Sequence, residues 1–174
     1  MSDSSQWHPL DVASAESPDD TATLLAVDLG LRVGLACFER DGRLRYARTR
    51  RFASRAKLKQ AVPKLMKEAG SPQWLVLEGD PQLAQVWTSY AHKRGVQCLH
   101  VSPERWRQAM LLPRERRAGV DAKQAALRAA EQRMRRDGAP RHTPLRHDAA
   151  EAVLIGLWAL SEIQWRDEPS PIVP

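Results

Sequence analysis

Two short apolar segments of this chain each end directly in an acidic residue. Residues 23–27, TLLAV, precede Asp28, and residues 74–77, WLVL, precede Glu78. Continuous apolar runs of this length are typical of strands that are covered on both faces of a mostly parallel sheet. A carboxylate at the end of such a strand lies beside the core, where unpaired charge is costly. We therefore expect something cationic beside Asp28 and Glu78.

The rest of the pattern alternates strands and helices. A glycine turn after Asp28 leads to a second strand, LACF, and the pair Asp41-Gly42 predicts a hairpin into a third strand. The elements predicted after this hairpin are a helix over 55–69, a strand over 74–77, a helix over 82–93, a strand over 96–101, a short helix from 103, and helices over 121–137 and 147–164. This order predicts an α/β fold in which helices flank a mixed sheet.

Two segments allow more than one interpretation. Pro63 stands inside the first helical pattern, so that helix either kinks at Pro63 or begins near it, where proline fits the first turn. Residues 110–119 are interpreted as a basic loop, and Asp121 as the cap of the helix that follows.

The two ends of the chain differ in composition from its middle. Residues 1–22 hold five acidic residues and no Lys or Arg, so we expect a disordered acidic tail. The folded domain is expected to span residues 23–165, followed by a flexible tail over 166–174. No secretory signal pattern is visible, and no stretch reaches the roughly 18 apolar residues of a membrane span. These features favour a soluble, cytoplasmic protein.

The two cysteines do not form a recognisable pair. Cys37 and Cys98 each lie in an apolar run, and neither has a Cys-x-x-Cys partner. This argues against a zinc site or a disulfide framework. We expect two buried thiols.

Positive charge is concentrated in one part of the sequence. The formal net charge is +6, and without the acidic tail the chain holds 27 basic against 16 acidic residues. Residues 93–136 alone hold 12 Lys and Arg against four acidic residues. This asymmetry favours a polyanionic partner, with solvated helix faces as the alternative. The residues predicted to contact nucleic-acid phosphates are Arg105, Arg107, Arg114, Arg116, Arg117, Lys123 and Arg128, with Arg133, Arg135 and Arg136 following on the same helix.

A second pair of acidic residues lies in the last helical segment, which is otherwise apolar. Asp148 and Glu151 are three residues apart, so they share one helix face with Cβ atoms about 5–6 Å apart. If that face meets the two strand ends, four carboxylates converge, and oxygen-only sites of this kind suit Mg²⁺ or Mn²⁺. Two such ions about 3.5–4 Å apart can activate a water and stabilise the leaving oxygen of a phosphodiester.

Each carboxylate also has a purely structural interpretation. Asp28 can make an Asx turn, and Glu78 can pair with a buried arginine. Asp148 can be a helix N-cap with Glu151 as its capping-box partner, because the three-residue spacing is the same. Asp80 is the substitute metal ligand if Glu78 points away.

Several segments together resemble one family. LAVDLGLRVGLACFERDGRL, VLEG at 76–79 and HDAAEAVLIGLWAL from 147 resemble the first hairpin, the second acidic strand and the C-terminal helix of RuvC-type Holliday junction resolvases and their phage relatives. AKQAAL at 122–127 is similar to their segment in which a lysine approaches the scissile phosphate. The resemblance covers about residues 24–160. The turn from Asp28 to Gly34 is nearer the phage type, and Glu151 stands where aspartate is commoner.

This resemblance implies an RNase H-like fold with a mixed five-stranded sheet. It assigns Asp28, Glu78, Asp148 and Glu151 to the binding of Mg²⁺ or Mn²⁺, two ions per site. It assigns Lys123 to electrostatic stabilisation of the transition state, with a solvated helix residue as the alternative. His147 is either an outer-shell group or proton donor, or an ordinary residue at a helix entry. Family members act as homodimers whose two sites cut opposing strands of a four-way DNA junction.

The leading hypothesis is a metal-dependent endonuclease that cuts branched DNA and, as in the family, leaves 5′-phosphate ends. The alternatives are an RNase H-like nuclease of other specificity and a DNA-binding protein that kept the fold and lost cleavage. An ATPase or kinase with a similar Asp-x-Gly turn is disfavoured, because the chain is too short for the duplicated domain and lacks a Walker-type GxxxxGK[ST] motif.

Overall fold

The structure is a computed structural model that describes residues 21–116, 119–141 and 144–165. Apart from residues 21 and 22, the two predicted tails lie outside the described residues, and so does Arg117. The described helices and strands run from Thr23 to Glu162. The tails and the exact limits of the domain therefore stay predictions.

Five strands form one mixed sheet. They are β1, Thr23–Asp28; β2, Arg32–Glu39; β3, Leu44–Arg51; β4, Trp74–Glu78; and β5, Gln97–Val101. Their order across the sheet is β3-β2-β1-β4-β5. The pairs β1–β2 and β2–β3 are antiparallel, whereas β1–β4 and β4–β5 are parallel. The predicted α/β fold, a mixed five-stranded sheet flanked by helices, is confirmed.

Helices cover both faces of this sheet. They are α1, Arg55–Glu68; α2, Pro81–His92; α3, Pro103–Met110; α4, Gly119–Asp137; and α5, His147–Glu162, with a 3-10 turn at Pro113–Arg116. Helix α1 runs through Pro63 and is capped by Ser54, whose Oγ accepts the Lys57 N–H at 3.2 Å. The alternative start near Pro63 is therefore wrong. Helix α4 begins two residues before Asp121, so Asp121 is not its cap. None of the described helices is both long and apolar enough to cross a membrane.

The sheet separates two apolar cores. Leu24 and Ala26 of β1 pack with α3, α4 and α5, whereas Leu25 and Val27 pack with α1 and α2. This alternation follows from strand geometry, in which successive side chains point to opposite faces. Helix α5 is buried along almost its whole length, and its apolar sequence explains why it lies directly on the sheet.

Two glycines allow α5 to lie close to β2. A Cβ atom at Gly34 of β2 would stand 1.9 Å from the carbonyl oxygen of Asp148, and one at Gly156 of α5 would stand 2.2 Å from Cε2 of Phe38. Both distances are far below the 3.5–4.0 Å of ordinary carbon contacts. Gly34 is the partner of Asp28 in the register of β1 and β2. The contact between Gly34 and Asp148 therefore fixes the start of α5 over these two residues.

The cysteine prediction is half right. Cys37 is a buried free thiol whose Sγ lies 3.6 Å from the Ala69 carbonyl oxygen, and burial raises its pKa to about 12. Cys98 is also free, but it is partly exposed. Its position near the start of β5, at the edge of the sheet, accounts for this exposure.

A buried ion pair connects α4 to the β2–β3 hairpin. Asp137 accepts the backbone N–H of Leu44 at 2.7 Å and pairs with Arg133, whose guanidinium also donates to the carbonyl oxygen of Gly42. Only 8% of the Arg133 side chain and 5% of the Asp137 side chain are exposed. The prediction that Arg133 belongs to the phosphate-contacting basic residues is therefore wrong, because burial commits it to this structural contact.

We predict that Asp137→Ala lowers the free energy of unfolding by about 3–5 kcal/mol, because it leaves the buried Arg133 charge without its carboxylate. Urea unfolding followed by circular dichroism measures the change. Asp41→Ala is the matched control, since Asp41 is exposed in the same hairpin and accepts the N–H of Arg43 at 2.9 Å. Equal losses in the two variants would contradict a special role for the buried pair.

Candidate active site

One row of residues crosses the sheet where β1 and β4 end. Gly34 of β2, Asp28 of β1 and Glu78 of β4 are successive partners in the backbone register. Neighbouring strands lie about 4.8 Å apart, so parallel pairing brings Asp28 and Glu78 side by side. Ala26 and Val76, two residues earlier, pack with α3, α4 and α5. Strand alternation therefore places both carboxylates on that same face.

Helix α5 brings the second pair of carboxylates to this row. Its N-cap is Arg146, whose side chain makes no capping hydrogen bond. Asp148 therefore lies within the first turn and Glu151 in the next, so the capping-box interpretation is wrong. With the Asp148 backbone against Gly34, the charges of both α5 carboxylates act on Asp28. The structure thus brings the four predicted metal ligands into one electrostatic cluster.

Burial and neighbouring negative charge raise the pKa of two of these carboxylates, Asp28 and Glu78. Burial raises the pKa of Asp28 from 3.8 to about 8, and the charges of Glu151, Glu78 and Asp148 add to this rise. The pKa of Glu78 is also raised, by burial first and by Glu151 second. The Asp28 side chain accepts no hydrogen bond from the described part of the chain, so the Asx-turn interpretation gains no support. Like charges in a desolvated site favour a bound proton or a cation.

Arg107 of α3 supplies positive charge to this cluster. Its Nη2 atom lies 3.3 Å from Oε1 of Glu151, and its charge lowers the pKa of both Asp28 and Glu78. The fully buried Trp106 precedes it, and the indole N–H, which makes no hydrogen bond of ordinary geometry, also lowers the pKa of Glu78. Arg107, predicted as a phosphate contact, thus turns inward, and the ion pair that it makes is with Glu151 rather than Glu78.

The donor set fits a hard divalent cation in its chemistry, since Mg²⁺ and Mn²⁺ select carboxylate oxygens. In the placement of side chains over 21–116, 119–141 and 144–165, however, no three acidic, His or Cys groups are close enough to hold an ion. Glu151 makes its ion pair with Arg107 of α3. A cation bound at Glu151 would compete with this ion pair.

Three other candidate residues have different surroundings. Asp80 caps α2 by accepting the backbone N–H groups of Gln82 at 2.6 Å and Leu83 at 3.2 Å, which accounts for it structurally. Lys123 is exposed on α4 and makes no ion pair with any residue that the structure describes, so its role stays a prediction. The Nδ1 atom of His147 is buried and has no hydrogen-bond partner among the described residues.

The predicted phosphate contacts include paired and unpaired arginines. Arg105 pairs with a glutamate near the end of α5 at 3.1 Å, and Arg128 lies 3.8 Å from a glutamate in the 3-10 turn. Arg114 and Arg116 are exposed in that turn and form no ion pair within the described residues. All four side chains reach solvent, so they are accessible to a polyanion.

Comparison with known proteins adds little beyond this geometry. No protein-family model and no curated protein sequence matches the chain. Among solved structures, the chain is similar to the catalytic core domain of HTLV-2 integrase, in a dimeric form in complex with magnesium, with 9% identity, a TM-score of 0.35, and coverage of 81% of this chain and 84% of that one. It is also similar to a chain of a simian T-cell lymphotropic virus intasome in complex with the PP2A regulatory subunit B56γ, with 10% identity, a TM-score of 0.29, and coverage of 89% of this chain and 56% of that one. Both overlaps are too loose to bear on the chemistry of the site.

Sequence reasoning missed two features of the site. The role of Gly34 was not predicted, although a glycine inside an apolar strand is a known signal for close approach of another backbone. Arg107 was identified as basic, but its inward direction depends on how α3 packs against α5, which the sequence pattern does not encode.

We predict that Asp28→Asn stabilises the metal-free protein at pH 8. The folded protein holds the Asp28 proton up to about pH 8, whereas the unfolded chain releases it near the ordinary pKa of 3.8. The contribution of Asp28 to the stability of the wild type therefore falls as the pH rises from about 4 to about 8. The variant lacks this loss, and each kcal/mol gained corresponds to roughly 2–4 °C in Tm for a chain of this size.

Thermal unfolding in EDTA between pH 5 and pH 9 measures this difference. Asp80→Asn is the matched control, because Asp80 is exposed and asparagine caps a helix as well as aspartate does. The same pH dependence of Tm in wild type and Asp28→Asn would overturn the prediction.

Proposed function

We propose that this protein is a metal-dependent endonuclease that hydrolyses phosphodiesters in branched DNA, with four-way junctions as its preferred substrate. The observation that supports the proposal is that Asp28 and Glu78 are neighbours in the sheet and that the start of α5 brings the charges of Asp148 and Glu151 to act on Asp28. Natural proteins seldom hold four carboxylates together beside a core unless a cation compensates them. No Asx turn, capping box or buried arginine accounts for all four.

The roles of the carboxylates follow from the elements that carry them. Asp28 and Glu78 are fixed by backbone pairing and form the rigid half of the metal site. Asp148 is held by the close contact of α5 with Gly34, and Glu151 would be the adjustable member, because a metal there would compete with its ion pair to Arg107. Bound Mg²⁺ or Mn²⁺, as two ions, supplies an activated water and neutralises charge at the leaving oxygen.

The surrounding positive charge supports a polynucleotide as substrate. Arg114 and Arg116 are exposed without acidic partners among the described residues, and Lys123 lies on the adjacent helix. In this proposal Lys123 stabilises the transition state, and His147 contributes as an outer-shell group. The preference for a junction, the 5′-phosphate products and the homodimer with two sites rest on the resemblance to RuvC-type resolvases.

A cleavage assay tests the proposal. Labelled four-way junction, linear duplex and RNA–DNA hybrid are incubated with Mg²⁺, Mn²⁺ or EDTA. We expect junction cleavage that requires metal and falls in Asp28→Asn and Glu151→Gln by more than the roughly 10- to 100-fold that removal of an outer-shell partner costs. Asp80→Asn, purified in the same way, is the control for carried-over nucleases. Cleavage that survives EDTA or Asp28→Asn contradicts the metal site.

The other outcomes distinguish the remaining functions. Preferential cleavage of the hybrid identifies a nuclease of other specificity in the same fold. Tight junction binding without cleavage in any metal identifies a DNA-binding protein, and the Arg107–Glu151 ion pair is the feature that then replaces the metal. Sedimentation of the protein with and without junction tests the homodimer.

The exchange of Arg107 for metal leads to a prediction about stability. Arg107→Gln removes the positive charge beside Glu151, so we expect a lower Tm in EDTA and a larger rise of Tm on addition of Mg²⁺ than in the wild type. Arg105→Gln is the matched control on the same helix, since its ion pair lies with Glu162 at the other end of α5. The prediction fails if both variants show the same Mg²⁺-dependent rise.

A further inference from the structure

Two exposed arginines face each other across β2 and β3. Arg32 and Arg51 are direct partners in the antiparallel register, so their side chains leave the same face of the sheet side by side. Neither forms an ion pair or hydrogen bond through its side chain with the residues that the structure describes. Like charges directly opposite each other are destabilising in a sheet. The chain therefore retains an unfavourable local arrangement at this position.

Two of the other three arginines of β3 have acidic partners, whereas Arg50 has none among the described residues. Arg45 pairs with Glu39 at 2.6 Å, and Arg48 pairs with Glu68 of α1. A glutamate in place of Arg32 would have given Arg51 a partner in the same way. Arg32 of β2 and Arg51 of the edge strand β3 are thus two adjacent cations without an acidic partner among the described residues, and they are suited to an anion that is supplied from outside.

The position of the pair links it to the candidate active site. Arg32 lies two residues before Gly34 on the same strand face, so the pair stands just beyond the row that contains Asp28 and Glu78. Thr49, the partner of Gly34 in this row, has a buried hydroxyl without a hydrogen-bond partner in the described ranges. The carboxylates therefore lie between this pair on the β3 side and α3 with its arginines on the other.

A groove continues from the row along β3. It has a volume of about 460 Å³ and lies between β3 and the segment that leads into α5. Its described lining combines apolar residues with four arginines and has no acidic member. Arg48 and Arg141 already pair with glutamates, whereas Arg50 and Arg146 have no acidic partner among the described residues. A basic, open groove of this kind matches an extended polyanion better than a small neutral ligand.

We propose that Arg32 and Arg51 bind the phosphodiester backbone of a nucleic-acid strand on the β3 side of the carboxylates, and that the strand continues into the groove beside β3. This surface is separate from the basic segment after β5, so the two hold a strand on both sides of the site. The inference rests on the proposed function for its substrate, but its test does not require cleavage.

Fluorescence anisotropy with a labelled junction and a labelled duplex in Ca²⁺ or EDTA tests the proposal over a range of salt concentrations. We expect Arg32→Gln with Arg51→Gln to weaken binding about tenfold and to reduce the slope of log K against log salt by about 1.8, or 0.9 for each phosphate that the variant no longer neutralises. Lys59→Gln with Lys67→Gln is the matched control, because both lysines are exposed on α1, on the opposite face of the sheet. It makes the same change in net charge.

A single charge reversal separates binding from folding. Arg32→Glu places opposite charges in the Arg32–Arg51 pair, so we expect an unchanged or higher Tm together with weaker binding of DNA. A Tm that falls in both Arg32→Glu and the double glutamine variant would overturn the argument, because the pair would then be a structural contact. A salt slope equal to that of the lysine control would overturn it as well.

Inorganic phosphate distinguishes a polynucleotide from a free anion. If phosphate raises the Tm of the wild type but not of the double variant, while both bind DNA equally, the pair is a site for a small anion and the proposal fails. Metal-dependent cleavage by wild type with normal binding by the double variant refutes this inference alone. Failure of the wild type to bind any nucleic acid refutes the proposed function as well.

Discussion

Helix α5 approaches strand β2 so closely that only glycine fits between them. Gly34 contacts the backbone of Asp148, and Gly156 contacts the ring of Phe38, so the helix is fixed to the sheet at its first turn and in its second half. The apolar residues between these contacts make α5 a part of the core rather than a surface helix. As a consequence, any polar residue near its start is held against the sheet and does not reach bulk water freely.

Because of this contact, four carboxylates repel one another at the site. The contact adds two carboxylates to the two that β1 and β4 already place side by side. Burial first, and the charges of these neighbours second, raise the pKa of Asp28 to about 8. Arg107 relieves only part of the repulsion, because it pairs with Glu151 and is itself more than one-third exposed. The repulsion between the carboxylates therefore remains in the folded protein. The buried pair between Arg133 and Asp137 connects α4 to the β2–β3 hairpin, at the other end of β2.

Much of this arrangement could be predicted from sequence because it depends on local pattern. The apolar runs before Asp28 and Glu78 identify strands, and the apolar character of residues 149–160 identifies a helix that covers the sheet. The direction of Arg107 and the burial of Arg133 could not be predicted, since each depends on a residue far along the chain. The cross-strand pair of Arg32 and Arg51 could not be predicted either. It depends on the register of the β2–β3 hairpin, which contains an irregularity between Cys37 and Phe38.

The distribution of charge suggests how a carboxylate cluster and a polyanion can share one surface. The acidic groups are on rigid elements at the centre, whereas the cations are on long side chains at both sides, at Arg32 and Arg51 and in the 3-10 turn. A free phosphate would meet the repulsion of the carboxylates with few compensating contacts. A polynucleotide gains contacts at both sides at once, and the linked phosphates raise the effective concentration of the one between them. Under the proposed function, the flanking arginines therefore select for chain length, and metal ions act only at the central phosphate.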